Sequence, residues 1–254
     1  MIRFAVVCAL AVFTANAAPP DGAISYLLLD ATNGNVNALN WPAAGIPVPV
    51  GSLVKPFIAI TYGQRHRMRF PVHQCTGNDC WLKTGHGSVG LAQAIACSCN
   101  SYFRELAEDI PPAGVDEVVE RFGLRGPPQD CASDTLFGMG RDWPLAPIQV
   151  ARAYAELAAR RAEPGIAEVV EGMRLAARVG TAAAVGSALR GTSALAKTGT
   201  APCSHSLKAE ADGYAIVVYP ADIPRYVLLI QVHGVVGRQA AQAAARLLRS
   251  MGVR

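Results

Sequence analysis

Strand-like segments lie at the two ends of this chain, and what lies between them reads as helix. Ile24-Ser25-Tyr26-Leu27-Leu28-Leu29 has strand character, and Asn33-Gly34 is a hairpin turn signal leading into Val36–Leu39. Strand character returns late, at Tyr214–Tyr219 and Tyr226–Val232, joined through Pro220-Ala221-Asp222-Ile223-Pro224, and Lys197-Thr198-Gly199-Thr200 is also expected on a strand. A lone hairpin is marginal in water, so each pair of strands needs more sheet. The economical solution joins the two ends in one antiparallel sheet, with the Ala- and Leu-rich helix Arg238–Met251 over one face. The expected fold class is therefore α+β, with a helical lobe inserted between sheet-forming ends. The sheet lobe is expected to take residues 18–50 and 191–254, and the helical lobe 51–190. Helical segments are read around Pro56–Tyr62, Val89–Ala107, Val115–Phe122, Ile148–Ala162 and Ile166–Val179, punctuated by Gly or Pro. A cleft between the lobes is a common place for a small-molecule site.

Hydrophobic residues make up 51% of the 254 residues and charged residues 17%, which supports a large core and excludes disorder. Lys and Arg number 23 against 19 Asp and Glu; so small and scattered an excess excludes a nucleic-acid binder. Met1-Ile2-Arg3, the apolar run Phe4–Phe13 and the small residues Ala15 and Ala17 form the three regions of a secretory signal peptide. Residues 1–17 are therefore expected to be removed, and the mature chain to work in the periplasm, cell envelope or outside the cell. Six of the seven cysteines remain after such cleavage, in a compartment where disulfides persist.

Three short motifs stand in order: Ser52-Leu53-Val54-Lys55, Ser98-Cys99-Asn100 and Lys197-Thr198-Gly199-Thr200. Each occurs by chance in many proteins; the ordered set is specific for serine enzymes that recognise penicillin. A serine hydroxyl needs a base, and residues i and i+3 of a helix share a face, which puts the Lys55 amine beside the Ser52 hydroxyl. Lys55 is a base only when neutral; burial and a second cation, Lys197, both depress its pKa. Ser98 and Asn100 are expected on a tight turn between two helices, Ser98 to relay protons and Asn100 to hold Lys55. Lys197 and Thr198 suit a substrate carboxylate, Gly199 leaves room for substrate backbone, and the N–H of Thr200 is an oxyanion donor. A second K-T-G, Lys83-Thr84-Gly85, has no strand pattern around it and is read as a loop.

With these motifs in place, the sequence resembles the transpeptidase domain of penicillin-binding proteins over nearly the whole mature chain. Leu29–Val36 is similar to the family's opening hairpin, and Val50–Phe57 to its nucleophile segment. Cys75-x-Gly77, Cys80-Trp81 and Gly85-His86-Gly87, leading into Ser98-Cys99-Asn100, resemble the class B branch. Gly138-Met139-Gly140 and Pro147-Ile148-Gln149-x-Ala151-x-x-Tyr154 also match, with Ala146 where the family usually has Thr. The resemblance implies the β-lactamase/transpeptidase-like fold and a serine acyl-enzyme mechanism. The substrate would be a peptidoglycan stem peptide ending in D-Ala-D-Ala, with β-lactams acylating the same serine. The implied activity is D,D-transpeptidase or D,D-carboxypeptidase. Cell-wall synthesis proteins would be partners, and no cofactor would be required. The rivals are a class D-like serine β-lactamase, whose second motif is normally S-x-V rather than S-x-N, and a sensor that is acylated and stays so.

The cysteines leave two readings open. Cys75 and Cys80 are close enough in sequence for a local disulfide. Cys75, Cys80, His86 and Cys99 also offer the donor types and loop spacing of a structural zinc site, which some elongation-type relatives resemble. Cys97, Cys131 and Cys203 are read as buried or paired. His73, His205 and His233 show no partner spacing, and His233 is read as packing at a strand end. Arg65-His66-Arg67-Met68-Arg69 reads as a solvated loop.

Overall fold

The computed structural model describes residues 23–203 and 211–252. The signal peptide expected at 1–17 lies outside the described residues. Strands β1 (Ile24–Asp30) and β2 (Val36–Asn40) form the N-terminal hairpin. Asp30 closes its turn by accepting from the Thr32 amide and hydroxyl, and Gly34 takes the left-handed φ of +75° that the turn requires. A short strand β3 (Val48–Pro49) leads to a 3-10 turn, Gly51–Val54, and then to helix α1 (Lys55–Arg65).

Strands β4 (His73–Cys75) and β5 (Gly87–Val89) form a small ribbon. Helices α2 (Leu91–Ala96), α3 (Asn100–Glu108), α4 (Pro112–Glu120) and α5 (Ser133–Leu136) follow. Strand β6 (Pro144–Leu145) pairs with β3 and precedes α6 (Pro147–Ala159), α7 (Ile166–Arg178) and α8 (Ala183–Ala188). The chain then returns through β7 (Leu195–Ala201), β8 (Asp212–Tyr219), β9 (Tyr226–His233) and α9 (Gly237–Ser250).

The main sheet has the order β2-β1-β9-β8-β7 and its pairs are antiparallel. The two chain ends meet at β1 and β9, where Leu27 pairs with Leu229. Alternation sorts the side chains. Leu27, Leu29, Ile216, Val218, Val227 and Leu229 face the helical lobe, whereas Ala215, Val217, Leu228 and Ile230 pack under α8 and α9. Ala240, Ala241 and Ala244 let α9 lie close on that outer face. Helix α1 is buried from Lys55 to Gly63, so it is a core helix and not an amphipathic one.

Three features differ from the sequence reading. Val89 belongs to a strand rather than to the following helix. The short strands β3, β4, β5 and β6, two or three residues each, are too brief to leave a period-two signal. Helix α8 packs with α9 on the outer face of the sheet.

Candidate active site

The nucleophile segment is squeezed between two neighbours. Gly51 has φ +57°, and a Cβ there would strike the carbonyl of Thr200 on β7. Gly199 is equally constrained, since its Cβ would collide with the carbonyl of Val50. Both glycines let the backbone before Ser52 lie directly on the Lys197-Thr198-Gly199-Thr200 strand. From the other side, Tyr154 on α6 donates from its hydroxyl to the carbonyl of Leu53 at 2.7 Å. Ser52 is half-buried in the 3-10 turn, and Lys55 is the first residue of α1, with Pro56 next to it in the first turn.

Ser98 is where the site comes together. It sits between α2 and α3 with a left-handed φ of +55°, which is strained for a residue with a side chain. That conformation sends its two oxygens to different lysines. The Ser98 carbonyl accepts from Lys55 Nζ at 3.1 Å, and the Ser98 hydroxyl accepts from Lys197 Nζ at 2.8 Å. Lys55 also donates to Asn100 Oδ1 at 2.6 Å and lies over the rings of Phe103 and Phe137. Lys197 further donates to the carbonyl of Thr198 at 2.8 Å. Lys55 therefore does not bond the Ser52 hydroxyl, as the i, i+3 spacing alone suggests, because Ser98 and Asn100 hold its ammonium; among the described residues Ser52 Oγ has no hydrogen-bond partner. Catalytic hydrogen bonds of this kind often tighten only when substrate is bound.

Both lysines are fully buried. Burial pushes Lys55 down to about 8, with the neighbouring cysteines Cys99, Cys80 and Cys97 working in the opposite direction. Lys197 is pushed well below the ordinary lysine value, first by burial and then by the charge of Lys55. Two ammonium groups in one dry site disfavour each other, which is the condition under which one becomes a base.

Every predicted residue of this site is brought together: Ser52, Lys55, Ser98, Asn100 and Lys197, with Thr198, Gly199 and Thr200 on the adjoining strand. β7 lies at one edge of the sheet, which suits it to add a substrate strand. One residue had no signal in the sequence. Thr198 Oγ1 donates to Thr181 Oγ1 at 2.7 Å, and Thr181 binds the carbonyl of Ala96 through both its amide and its hydroxyl. Thr181 thus ties the K-T-G strand to the turn that carries Ser98. Lys83-Thr84-Gly85 lies in a loop, as expected, with Gly85 at φ +76°.

Next to this site the thiol cluster forms. Cys75 ends β4, Cys80 and His86 lie in the loop before β5, and Cys99 precedes α3. Their donor atoms all lie within 4.8 Å of one another. Cys75 Sγ and Cys80 Sγ are each 3.5 Å from His86 Nδ1, and Cys80 Sγ is 3.9 Å from Cys99 Sγ. With Zn–S bonds of about 2.3 Å, tetrahedral sulfur ligands sit about 3.8 Å apart, so the donor set fits zinc. The Cys75–Cys80 disulfide expected as one reading does not form: all six cysteines among the described residues are free. The four donors point at one centre rather than pairing in twos. Behind them, Ser101 Oγ is 3.5 Å from Cys99 Sγ and 2.9 Å from His73 Nε2, while His73 Nδ1 faces Glu105. Trp81 donates from Nε1 to the carbonyl of Cys97 at 3.0 Å and carries Arg238 of α9 over its ring.

Ser52 thus stands beside a turn whose Ser98 engages two lysines, against an edge strand carrying K-T-G. The family model described as "penicillin binding protein transpeptidase domain" matches residues 24–250, and the chain belongs to that family. Its fold is similar to that of Pseudomonas aeruginosa PBP2, solved in complex with WCK 5153, at 18% identity and a TM-score of 0.74, covering 91% of this chain and 70% of that one. It is also similar to PBP2 of Helicobacter pylori, solved in complex with MreC, at 18% identity and a TM-score of 0.73, covering 92% and 61%. The transpeptidase domain of Burkholderia pseudomallei penicillin-binding protein 3 matches at 19% identity and a TM-score of 0.71, covering 92% and 89%. No curated protein sequence matches the chain.

Proposed function

We propose that this chain is a serine D,D-transpeptidase or D,D-carboxypeptidase acting on peptidoglycan stem peptides that end in D-Ala-D-Ala. The observation that carries this reading is Ser98, whose two oxygens engage Lys55 and Lys197 beside Ser52. In the proposed mechanism, Ser52 Oγ attacks the carbonyl of the penultimate D-Ala and its proton passes to neutral Lys55. The amides of Ser52 and Thr200 stabilise the oxyanion, each worth about 3 kcal/mol. The proton returns to the departing terminal D-Ala amine through Ser98. Water, or an amine from another strand, then attacks the acyl-enzyme and frees Ser52. Lys197, Thr198 and Thr200 bind the substrate carboxylate, and the substrate backbone pairs along β7.

Zinc at Cys75, Cys80, His86 and Cys99 belongs to the same proposal. These residues would hold the ion as a structural clamp on the turn of Ser98, and every proton step stays with the protein's own groups. The chain would act after export, in the periplasm or envelope, alongside cell-wall synthesis proteins; the Helicobacter pylori relative was solved in complex with another protein, MreC.

Intact-mass spectrometry with benzylpenicillin tests the assignment. A persistent covalent adduct, absent in Ser52→Ala, is expected. A transient adduct with penicillin consumed would make the chain a β-lactamase, and no adduct at all would overturn the acyl-enzyme reading.

A further inference from the structure

A second donor cluster lies at the far end of the K-T-G strand, outside the machinery described above. Ala201 on β7 pairs with Asp212 on β8, and Asp212 pairs with His233 on β9. Cys203 follows β7 by two residues. Three adjacent strands thus deliver a thiol, a carboxylate and an imidazole to one place, each of them at least 95% buried. All three donor atoms lie within 4.8 Å of one another.

The geometry at His233 separates the possible roles. A relay triad uses opposite ring nitrogens, one for the nucleophile and one for the acid. Here Cys203 Sγ and Asp212 Oδ1 approach the same nitrogen, Nδ1, at 3.4 and 2.8 Å. One nitrogen carries one proton or one lone pair, so it cannot serve both partners by hydrogen bonding at full strength. His73, by contrast, places Ser101 and Glu105 on its two different nitrogens. Convergence on a single nitrogen is what a metal ion produces. Tetrahedral zinc holds its sulfur and nitrogen donors about 3.5 Å apart, as Cys203 and His233 already are; Asp212 Oδ1 would withdraw by about half an ångström.

We propose that Cys203, Asp212 and His233 bind a divalent metal ion of the zinc class. Thiolate and imidazole donors exclude magnesium and calcium, which take oxygen. The outer shell is also present: Gln231 Nε2 donates to Asp212 Oδ2 at 3.0 Å and to the Tyr214 hydroxyl at 3.1 Å, fixing the carboxylate so that Oδ1 faces the cluster. Binding removes the Cys203 thiol proton to solvent and leaves the His233 proton on Nε2. The ion would rivet the ends of β7, β8 and β9, holding the wall of the active site from outside it.

The test uses the full chain, stripped with chelator under reducing conditions and titrated with cobalt(II) and zinc. The variant Cys75→Ser/Cys80→Ser/Cys99→Ser silences the other cluster. In that background one cobalt per chain is expected, with a thiolate charge-transfer band. Adding Cys203→Ser should abolish the band and weaken binding by about 100-fold or more, and Gln231→Ala by about 10- to 100-fold. Should the triple variant fail to fold, zinc counting by native mass spectrometry on otherwise wild-type protein decides: two ions are expected, and one in Cys203→Ser. A single ion retained in both would leave the thiol cluster standing and overturn this site. A single ion lost in Cys203→Ser would do the reverse. Cobalt binding indifferent to Cys203→Ser in the triple background would reduce the three residues to a hydrogen-bond network.

Discussion

The turn Cys97-Ser98-Cys99-Asn100 faces two different environments. On the side of Ser52, both lysines have assigned partners: Lys55 with the Ser98 carbonyl and Asn100, Lys197 with the Ser98 hydroxyl. On the other side, Cys75, Cys80, His86 and Cys99 crowd one centre at 3.5 to 3.9 Å, longer than ordinary hydrogen bonds to nitrogen or oxygen. Directional pairing can pass a proton along a chain of groups. A set of donors aimed at a common point can only hold something there. In the proposed function, two residues one position apart serve chemistry and scaffolding separately, and the difference is open to experiment.

The largest effect falls on the directional side. Ser98→Ala removes the hydroxyl that accepts from Lys197, and benzylpenicillin acylation is expected to drop by about 10²- to 10⁴-fold in stopped-flow measurements. A rate within threefold of wild type would mean that Ser98 is a spacer. Next comes pH. Lys55 is lowered to about 8 and works as a base only when neutral. Its neutral fraction grows as protons are removed, so the acylation rate should rise about tenfold per pH unit below that value and level off above it. A rate falling with rising pH over that range would assign the base elsewhere.

Smaller effects are expected on the convergent side. In a Cys203→Ser background, Cys75→Ser should abolish the rise in melting temperature that zinc is expected to give the chelator-treated protein, yet slow acylation by less than tenfold. A loss of acylation as large as that of Ser98→Ala would merge the two sides into one machine. Smallest is Thr181→Val, which cuts the tie between Thr198 and Ala96. The 2.7 Å bond from Thr198 is lost, while the Thr181 amide still holds the Ala96 carbonyl that the hydroxyl reached at 3.3 Å, so the net loss is about 1 kcal/mol and acylation should slow by roughly fivefold with little change in pH profile.

The sheet was legible because its strands are long and stand at the chain ends, where nothing else could pair with them. That the residues of the candidate site come together was legible because they stand at fixed spacings within one turn or one strand. The orientation of Lys55 was not, since it depends on the left-handed φ of Ser98, a serine that no glycine or asparagine announces. Thr181 was silent because its partners, Ala96 and Thr198, stand 85 and 17 residues away. His233 read as packing for a similar reason: its neighbours Cys203 and Asp212 become neighbours only through strand register.

Among the described residues, β7 has a strand partner on one side only. An edge that must stay open to a peptide is equally open to the same edge of another copy, and open edges seed aggregation. Natural edges are commonly guarded by an exposed lysine, but the lysine here, Lys197, is buried and guards nothing. What remains is Pro202, which follows directly after Ala201 with no amide to donate. On the proposed reading, a peptide bound along β7 would therefore cover that edge as well as present itself for reaction, and the peptide-free form would be the one most exposed to self-association.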